Sequence, residues 1–161
     1  MSLQMSTRGR YGVRLMVALA LNYGNGRSSL LRQIARQEGI SEKYLGQIVI
    51  PLKAAGLLAA HRGAHGGYSL ARPPGAITVR DVVEAIEGAI APVPCVDPAA
   101  SVGPGECGDD RSGCDRATTC VATRVWRKLR EDIVSSLSSF TLAELARQAR
   151  EIGPAAENYV I

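Results

Sequence analysis

Residues 39–71, GISEKYLGQIVIPLKAAGLLAAHRGAHGGYSLA, decide how this 161-residue chain folds. Gly39-Ile40-Ser41 reads as a tight turn, in which Gly39 accepts left-handed backbone and the Ser41 hydroxyl caps the helix that follows. Leu45, Ile48 and Leu52 then share one stripe of a helix from about Glu42 to Ala55, ended by Gly56. Pro51, late in that helix, removes one backbone donor and is expected to kink or shorten it. Leu57 to Arg62 reads as a strand, Gly63 to Gly67 as a Gly-rich loop, and Tyr68 to Ala71 as the returning strand.

Upstream of the turn, Ser28 or Ser29 is expected to cap a short helix that turns Leu31, Ile34 and Ala35 inward. Two short helices joined by a Gly-containing turn match a helix-turn-helix, whose second helix enters the DNA major groove, although an ordinary helical hairpin gives the same pattern. The β-hairpin that follows favours the first reading, because a hairpin in that place is a wing. Its glycines let backbone approach a phosphate or the minor groove, and Arg62 at its base supplies the cation. His61 and His65 read as solvated or phosphate-contacting in preference to metal ligands. The first helix, Thr7 to Tyr23, places Val13, Met16, Val17, Ala20 and Leu21 at helical spacing, with Leu15 and Leu19 widening the apolar face. Such a helix is buried on more than one side, against its own chain or a partner subunit, and Asn22, Gly24, Asn25 and Gly26 end it.

Charge divides the chain in the same place. Residues 1–72 hold ten Lys and Arg against Glu38 and Glu42, a net +8, whereas residues 73–161 carry a net −4. A cationic first half suits a phosphate-binding module, since neutralised phosphates release counterions. An enzyme would need Cys114 or Cys120 paired with His61 or His65, and no third orienting group accompanies them, so no enzyme and no small-molecule substrate is expected. A pure protein-interaction module would leave the basic half unexplained. No stretch approaches ~18 uncharged apolar residues, so no membrane span is expected, and the absence of a secretory pattern points to the cytoplasm. There, clustered cysteines favour metal or redox chemistry over structural disulfides.

Downstream, Arg72-Pro73-Pro74-Gly75 closes the module, and Thr78 with Asp81 forms a capping pair for a helix carrying Val82, Val83 and Ile86 up to Gly88. Ala89 to about Gly113 is rich in Pro, Gly, Asp and Ser and reads as irregular. The four cysteines, Cys95, Cys107, Cys114 and Cys120, are separated by eleven, six and five residues, none of them a zinc-knuckle spacing. Trp126, Leu129, Ile133, Leu137 and Phe140 then form a single helical stripe, for which a partner's copy is the simplest cover. Thr141 and Glu144 form a second capping pair, opening a terminal helix that runs to Gly153. The expected fold is mainly α: a winged helix-turn-helix DNA-binding domain with a β-hairpin wing over residues 1–88, a sensor loop over 89–120, a long dimerisation helix and a short terminal helix within 115–153, and a tail over 154–161.

From about Met5 to Leu145 the chain resembles the bacterial winged-helix regulators of the IscR and NsrR type, which sense iron–sulfur clusters, nitric oxide or redox state. The resemblance is carried by Ser6-Thr7-Arg8-Gly9-Arg10-Tyr11, by Ile40-Ser41 to Tyr44-Leu45, by Arg62-Gly63 to Gly66-Gly67-Tyr68, by the cysteines ahead of Trp126, and by Thr141-Leu142-Ala143-Glu144-Leu145. It implies a homodimer on a pseudo-palindromic double-stranded DNA operator, with each recognition helix in a major groove and each wing on the neighbouring minor groove. Ser41, Tyr44 and Gln47, with Arg62, Gly63, His65, Gly66 and Gly67 in the wing, are the DNA contacts it implies, and Arg8 and Lys43 add cations to the same segments. Gly46 stands where the IscR pattern has Glu, and Ala64 where its wing has Pro, so operator preference does not transfer.

The resemblance also implies an iron–sulfur cluster. Aligned on the helix ending at Gly88, Cys95 falls on the family's first ligand, and Cys114 and Cys120 on the second and third. The IscR pattern takes its last ligand from a His three residues past the last Cys, which here is Thr123, and the NsrR pattern takes an Asp where this chain has Arg10. Cys107 is therefore the proposed fourth ligand of a two-iron or four-iron cluster, which oxygen strips from aerobically prepared protein if exposed. A zinc site or a thiol redox switch on the same cysteines, without a cluster, is the alternative. Cluster loss or oxidation is expected to reorder Ala89–Gly113 and shift the dimer helix and the spacing of the recognition helices.

Overall fold

The computed structural model describes residues 5–24, 28–63, 66–98 and 119–152. Among these residues the elements run α1 (Thr7–Leu21), α2 (Leu31–Glu38), α3 (Glu42–Ala54), β1 (Leu58–His61), β2 (Gly67–Leu70), α4 (Val79–Glu87), α5 (Ala122–Ser139) and α6 (Leu142–Ile152), with single 3-10 turns at Pro74–Ala76 and Pro94–Val96. The fold is the mainly α, winged helix-turn-helix architecture expected. No helix among the described residues is long and apolar enough to cross a membrane.

α1 is the central element. The Ser6 hydroxyl caps it by accepting from Gly9 N at 3.0 Å, and Leu15, Met16 and Leu19 are buried along its length. Val13, Val17 and Leu21 are only partly buried against the core. The breadth of this apolar face has an explanation within the chain, because α2, α3, α4, α6 and β2 all pack on α1. Where α1 meets α4 the approach is close. A Cβ on Gly12 would lie 2.0 Å from Ile86 Cδ1.

The start of α2 corrects one expectation. Neither serine caps it; the N-cap is Leu30, with no side-chain hydrogen bond. Ser29 instead pairs with the wing, its N–H donating to Tyr68 O and its carbonyl accepting from Tyr68 N, both at 2.9 Å. The Ser29 hydroxyl is turned to the end of α1, where Asn22 Nδ2 donates to it at 3.2 Å. Edge pairing thus satisfies backbone groups that a cap would have left to water. Gly67 makes the pairing possible, since its φ is +147° and a Cβ there would sit 2.6 Å from Ser29 O.

Ser41 caps α3 as expected, accepting from Tyr44 N at 3.1 Å. Pro51 does not end the helix, which runs on to Ala54. The hairpin pairs Leu58 with Leu70, Ala59 with Ser69, Ala60 with Tyr68 and His61 with Gly67, and Leu58 and Leu70 point into the core. The Thr78 and Asp81 capping box on α4 is complete in both directions.

α5 differs from every other helix, in that Thr123 is its only buried residue. It leans on α4 and on the Pro94–Val96 turn, and Arg130 Nε donates to Ile90 O at 2.9 Å. Val125 and Trp126 are exposed, and Leu129, Ile133 and Leu137 are half-buried. The stripe outlasts the helix, since Phe140 is already extended. The chain then returns to its first half: Val79 N donates to Phe140 O and Leu142 N to Ile77 O, each at 2.9 Å. α6 packs on α1, and Leu142 and Ala146 join the core that holds Leu15 and Leu45. Its capping pair is half formed. Thr141 Oγ1 accepts from Glu144 N at 3.2 Å, but the Glu144 carboxylate turns instead to Arg147 and Gln148.

Candidate nucleic-acid interface

Burying Leu45, Ile48, Val49 and Leu52 turns the opposite face of α3 outward. Lys43, Gln47, Ile50 and Ala54, at i, i+4, i+7 and i+11, form one exposed line down that face. Ser41 and Lys43 sit at its amino-terminal end, where the helix dipole and unpaired N–H groups attract anions. Glu42 is the one acidic residue of the helix.

Tyr44 points sideways, half-buried, and its ring meets Tyr11 edge-on with centroids 5.9 Å apart. The Arg14 guanidinium lies 5.6 Å from the Tyr11 ring centroid. Arg14 also grips the end of α2, with Nε 2.7 Å from Glu38 Oε2 and Nη2 2.8 Å from Glu38 O. The run Tyr44, Tyr11, Arg14, Glu38 therefore fixes both helices of the helix-turn-helix against α1. It spends one of the ten amino-terminal cations on structure.

Pro51 has a second consequence. Lacking an N–H, it leaves the Gln47 carbonyl without its intrahelical donor, and Arg8 Nη2 reaches that oxygen at 3.4 Å. Arg8 is exposed, and this long hydrogen bond uses one of its five N–H groups.

In the wing, Arg62 is exposed directly after β1. Gly63 has φ +101°, and Gly66 N donates to Gly63 O at 2.9 Å, which closes the loop. His61 Nε2 and Ser69 Oγ share a 2.8 Å hydrogen bond across the hairpin. His65 lies outside the described residues. Between α3 and the wing runs an open groove of about 480 Å³, lined by Gly46, Val49, Ile50, Lys53, Ala60 and Tyr68.

Of the four cysteines, Cys95 is half-buried on the Pro94–Val96 turn and Cys120 is exposed just ahead of α5. Cys107 and Cys114 lie outside the described residues. Thr123, one turn beyond Cys120, is buried, and its Oγ1 is the one buried side-chain polar atom among the described residues without a hydrogen-bond partner. Two soft donors, on a turn and at the start of the helix that turn packs against, are of the type that ligates a cluster as thiolate. The hard hydroxyl of Thr123 is a poor ligand for it.

Sequence reasoning missed the exposed Ile50, the Arg8 link to α3 and the Ser29 pairing. Ile50 was visible as i+7 from Lys43, opposite the Leu45, Ile48, Leu52 stripe. The other two depend on which segments meet in space and left no local signal.

A family model described as Rrf2, iron-dependent transcriptional regulator, matches residues 5–148. The chain is 38% identical over 144 residues to the HTH-type transcriptional regulator CymR of Bacillus subtilis, covering 89% of this chain and 90% of that protein. The structure of CymR, described as the global cysteine regulator of B. subtilis, matches with a TM-score of 0.66 over 91% of this chain and 98% of that one. Protein rrf2 of Nitratidesulfovibrio vulgaris is 35% identical over 147 residues, 91% of this chain and 89% of that protein. The structure of T. potens IscR matches at 35% identity with a TM-score of 0.70, covering 95% of this chain and 93% of that one. With the helix-turn-helix and wing in place, the chain belongs to the Rrf2 family of transcriptional regulators.

Proposed function

We propose that this regulator works as a homodimer on a pseudo-palindromic operator, with α3 in the major groove, the wing on the minor groove, and an iron–sulfur cluster on Cys95, Cys107, Cys114 and Cys120 controlling the fit. The observation that carries the reading is a run of packed elements: the turn holding Cys95 rests on α5, α5 on α4, and α4 on both α1 and α3. A change at Cys95 thus has a packed route to the recognition helix. Such a cluster supplies a centre whose oxidation or loss reports oxygen and iron supply.

The chain's own residues do the rest. Arg8, Lys43 and Arg62 neutralise phosphates, Ser41 and Gln47 present polar groups to base edges and backbone, and Gly63, Gly66 and Gly67 keep the wing narrow. The stripe of Trp126, Leu129, Ile133 and Leu137 is covered by the partner's copy. Residues 1–88 then serve as reader, 89–120 as sensor and 115–153 as the arm behind it.

A second reading, a thiol switch or zinc site without a cluster, is favoured by one observation. The position of the last IscR-type ligand holds the buried, unpartnered hydroxyl of Thr123. Anaerobic purification followed by an absorption spectrum and iron and zinc counts separates the two. The cluster reading requires brown, iron-containing protein, and a spectrum that is altered or lost in Cys107→Ala. An unchanged spectrum in that variant removes Cys107 from the ligand set, and colourless protein with zinc or no metal overturns the cluster in favour of the second reading.

A further inference from the structure

Ile50 stands on the outward line of α3 between Gln47 and Ala54, with 68% of its surface exposed. An aliphatic side chain in that place gains nothing from water, and the core on the other side of the helix is complete without it. Lys53 lies one turn on and lines the same groove as Ile50, and Lys43 stands two turns earlier on the exposed line. One turn earlier on the same side is Gly46, where an added Cβ would meet nothing within 4 Å. The missing side chain leaves a notch in the helix surface, and a groove wall can approach the backbone there and reach Ile50 behind it. An apolar group set among cations and an amide, on a helix face otherwise built for a polyanion, matches the one apolar feature of a base-pair edge in the major groove, the 5-methyl of thymine.

We propose that Ile50 reads a thymine 5-methyl group in each half-site, and that it is a specificity-determining residue of this regulator. The proposal rests on the reading that α3 enters the major groove. Gln47 and Ile50, one turn apart, would then read neighbouring bases, the first by hydrogen bonds and the second by apolar contact. Where the family pattern places a Glu, position 46 is here a glycine that leaves the helix surface beside Ile50 open.

The test begins with selection of sites from a random duplex pool by the full-length protein. Each thymine of the selected half-site is then replaced singly by deoxyuridine, and affinities are measured for the wild type, Ile50→Ser, Lys43→Ala and Gln47→Ala. At one position the wild type should bind the deoxyuridine site about fourfold more weakly, the worth of one buried methyl group. Ile50→Ser should bind thymine and deoxyuridine there equally. A wild type indifferent to deoxyuridine at every position, a selected half-site without thymine, or a deoxyuridine effect that persists in Ile50→Ser overturns the proposal. If Lys43→Ala and Gln47→Ala leave affinity unchanged, the placement of α3 in the major groove fails with it; if they weaken binding while deoxyuridine is neutral, only the assignment of Ile50 fails. Because the deoxyuridine scan of the wild type needs no variant to fold, a neutral scan overturns the proposal by itself, and Ile50→Ser assigns a positive one.

Discussion

Arg8 Nη2 donates to the Gln47 carbonyl at 3.4 Å, on the oxygen that Pro51 leaves without a helical donor. A break in one helix is thereby repaired from another, and the outward face of α3 is tied to the first turn of α1. Removing Arg8 should cost about 0.5–1 kcal/mol, the net worth of a typical hydrogen bond. In a Pro51→Ala background the same removal should cost almost nothing, because the new N–H serves Gln47. Thermal unfolding of the four proteins measures this coupling. An equal cost in both backgrounds would place the stabilising role of Arg8 elsewhere.

Two glycines should respond with opposite signs. At Gly67, φ is +147° and an added Cβ would lie 2.6 Å from Ser29 O, so Gly67→Ala should cost about 1–3 kcal/mol and loosen the wing. At Gly46 the space is open, and Gly46→Ala should add up to about 1 kcal/mol of helix stability. Urea unfolding of both variants checks the pair. A stable Gly67→Ala would mean that the Ser29 pairing is dispensable.

The carboxyl of Glu144 is held down to about 2 by hydrogen bonds from Arg147 and then Gln148. A depressed carboxylate stabilises the fold above its unfolded value and loses that contribution as pH falls through its folded value. The advantage of wild type over Glu144→Gln should be whole above pH 4.5, its ordinary value, and vanish toward pH 2. Because the pair is exposed, molar salt should shrink the difference. Circular dichroism along an acid titration reads it, and an advantage independent of pH would refute the ionic origin.

The proposed dimer interface is the stripe on α5. Leu129→Asp or Ile133→Asp should weaken self-association on the order of a hundredfold or more, since an unpaired carboxylate buried at an interface costs several kcal/mol. Sedimentation should show wild-type dimer and variant monomer, with operator affinity lost in parallel. Variants that stay dimeric would move the interface away from α5.

Local rules carried most of this fold. Ser41 and Thr78 cap where their spacing to Tyr44 and Asp81 says they should, and the Leu45, Ile48, Leu52 stripe is the buried one. What the sequence concealed was set by meetings between distant segments. Ser29 looked like a cap because a serine before a helix usually is one, yet the distant strand edge at Tyr68 claimed its backbone. Pro51 was expected to kink or shorten α3, and the donor it lacks is replaced by Arg8. In the candidate interface the polar and cationic positions could be read directly. Ile50 escaped notice because an aliphatic residue in a helix is taken for core until its neighbours show which way it faces.

The return of the chain at Phe140 orders events in time. Leu142 and Ala146 complete the core under α1, so a nascent chain halted at Cys120 has all of α3 and the wing and still an open hydrophobic face. The reading head closes only after the cysteine segment has been synthesised. A force-sensing arrest sequence on the ribosome should register folding tension only once residues beyond 146 have cleared the exit tunnel. The core under α1 is thus completed by a helix that the ribosome makes after the cysteine segment.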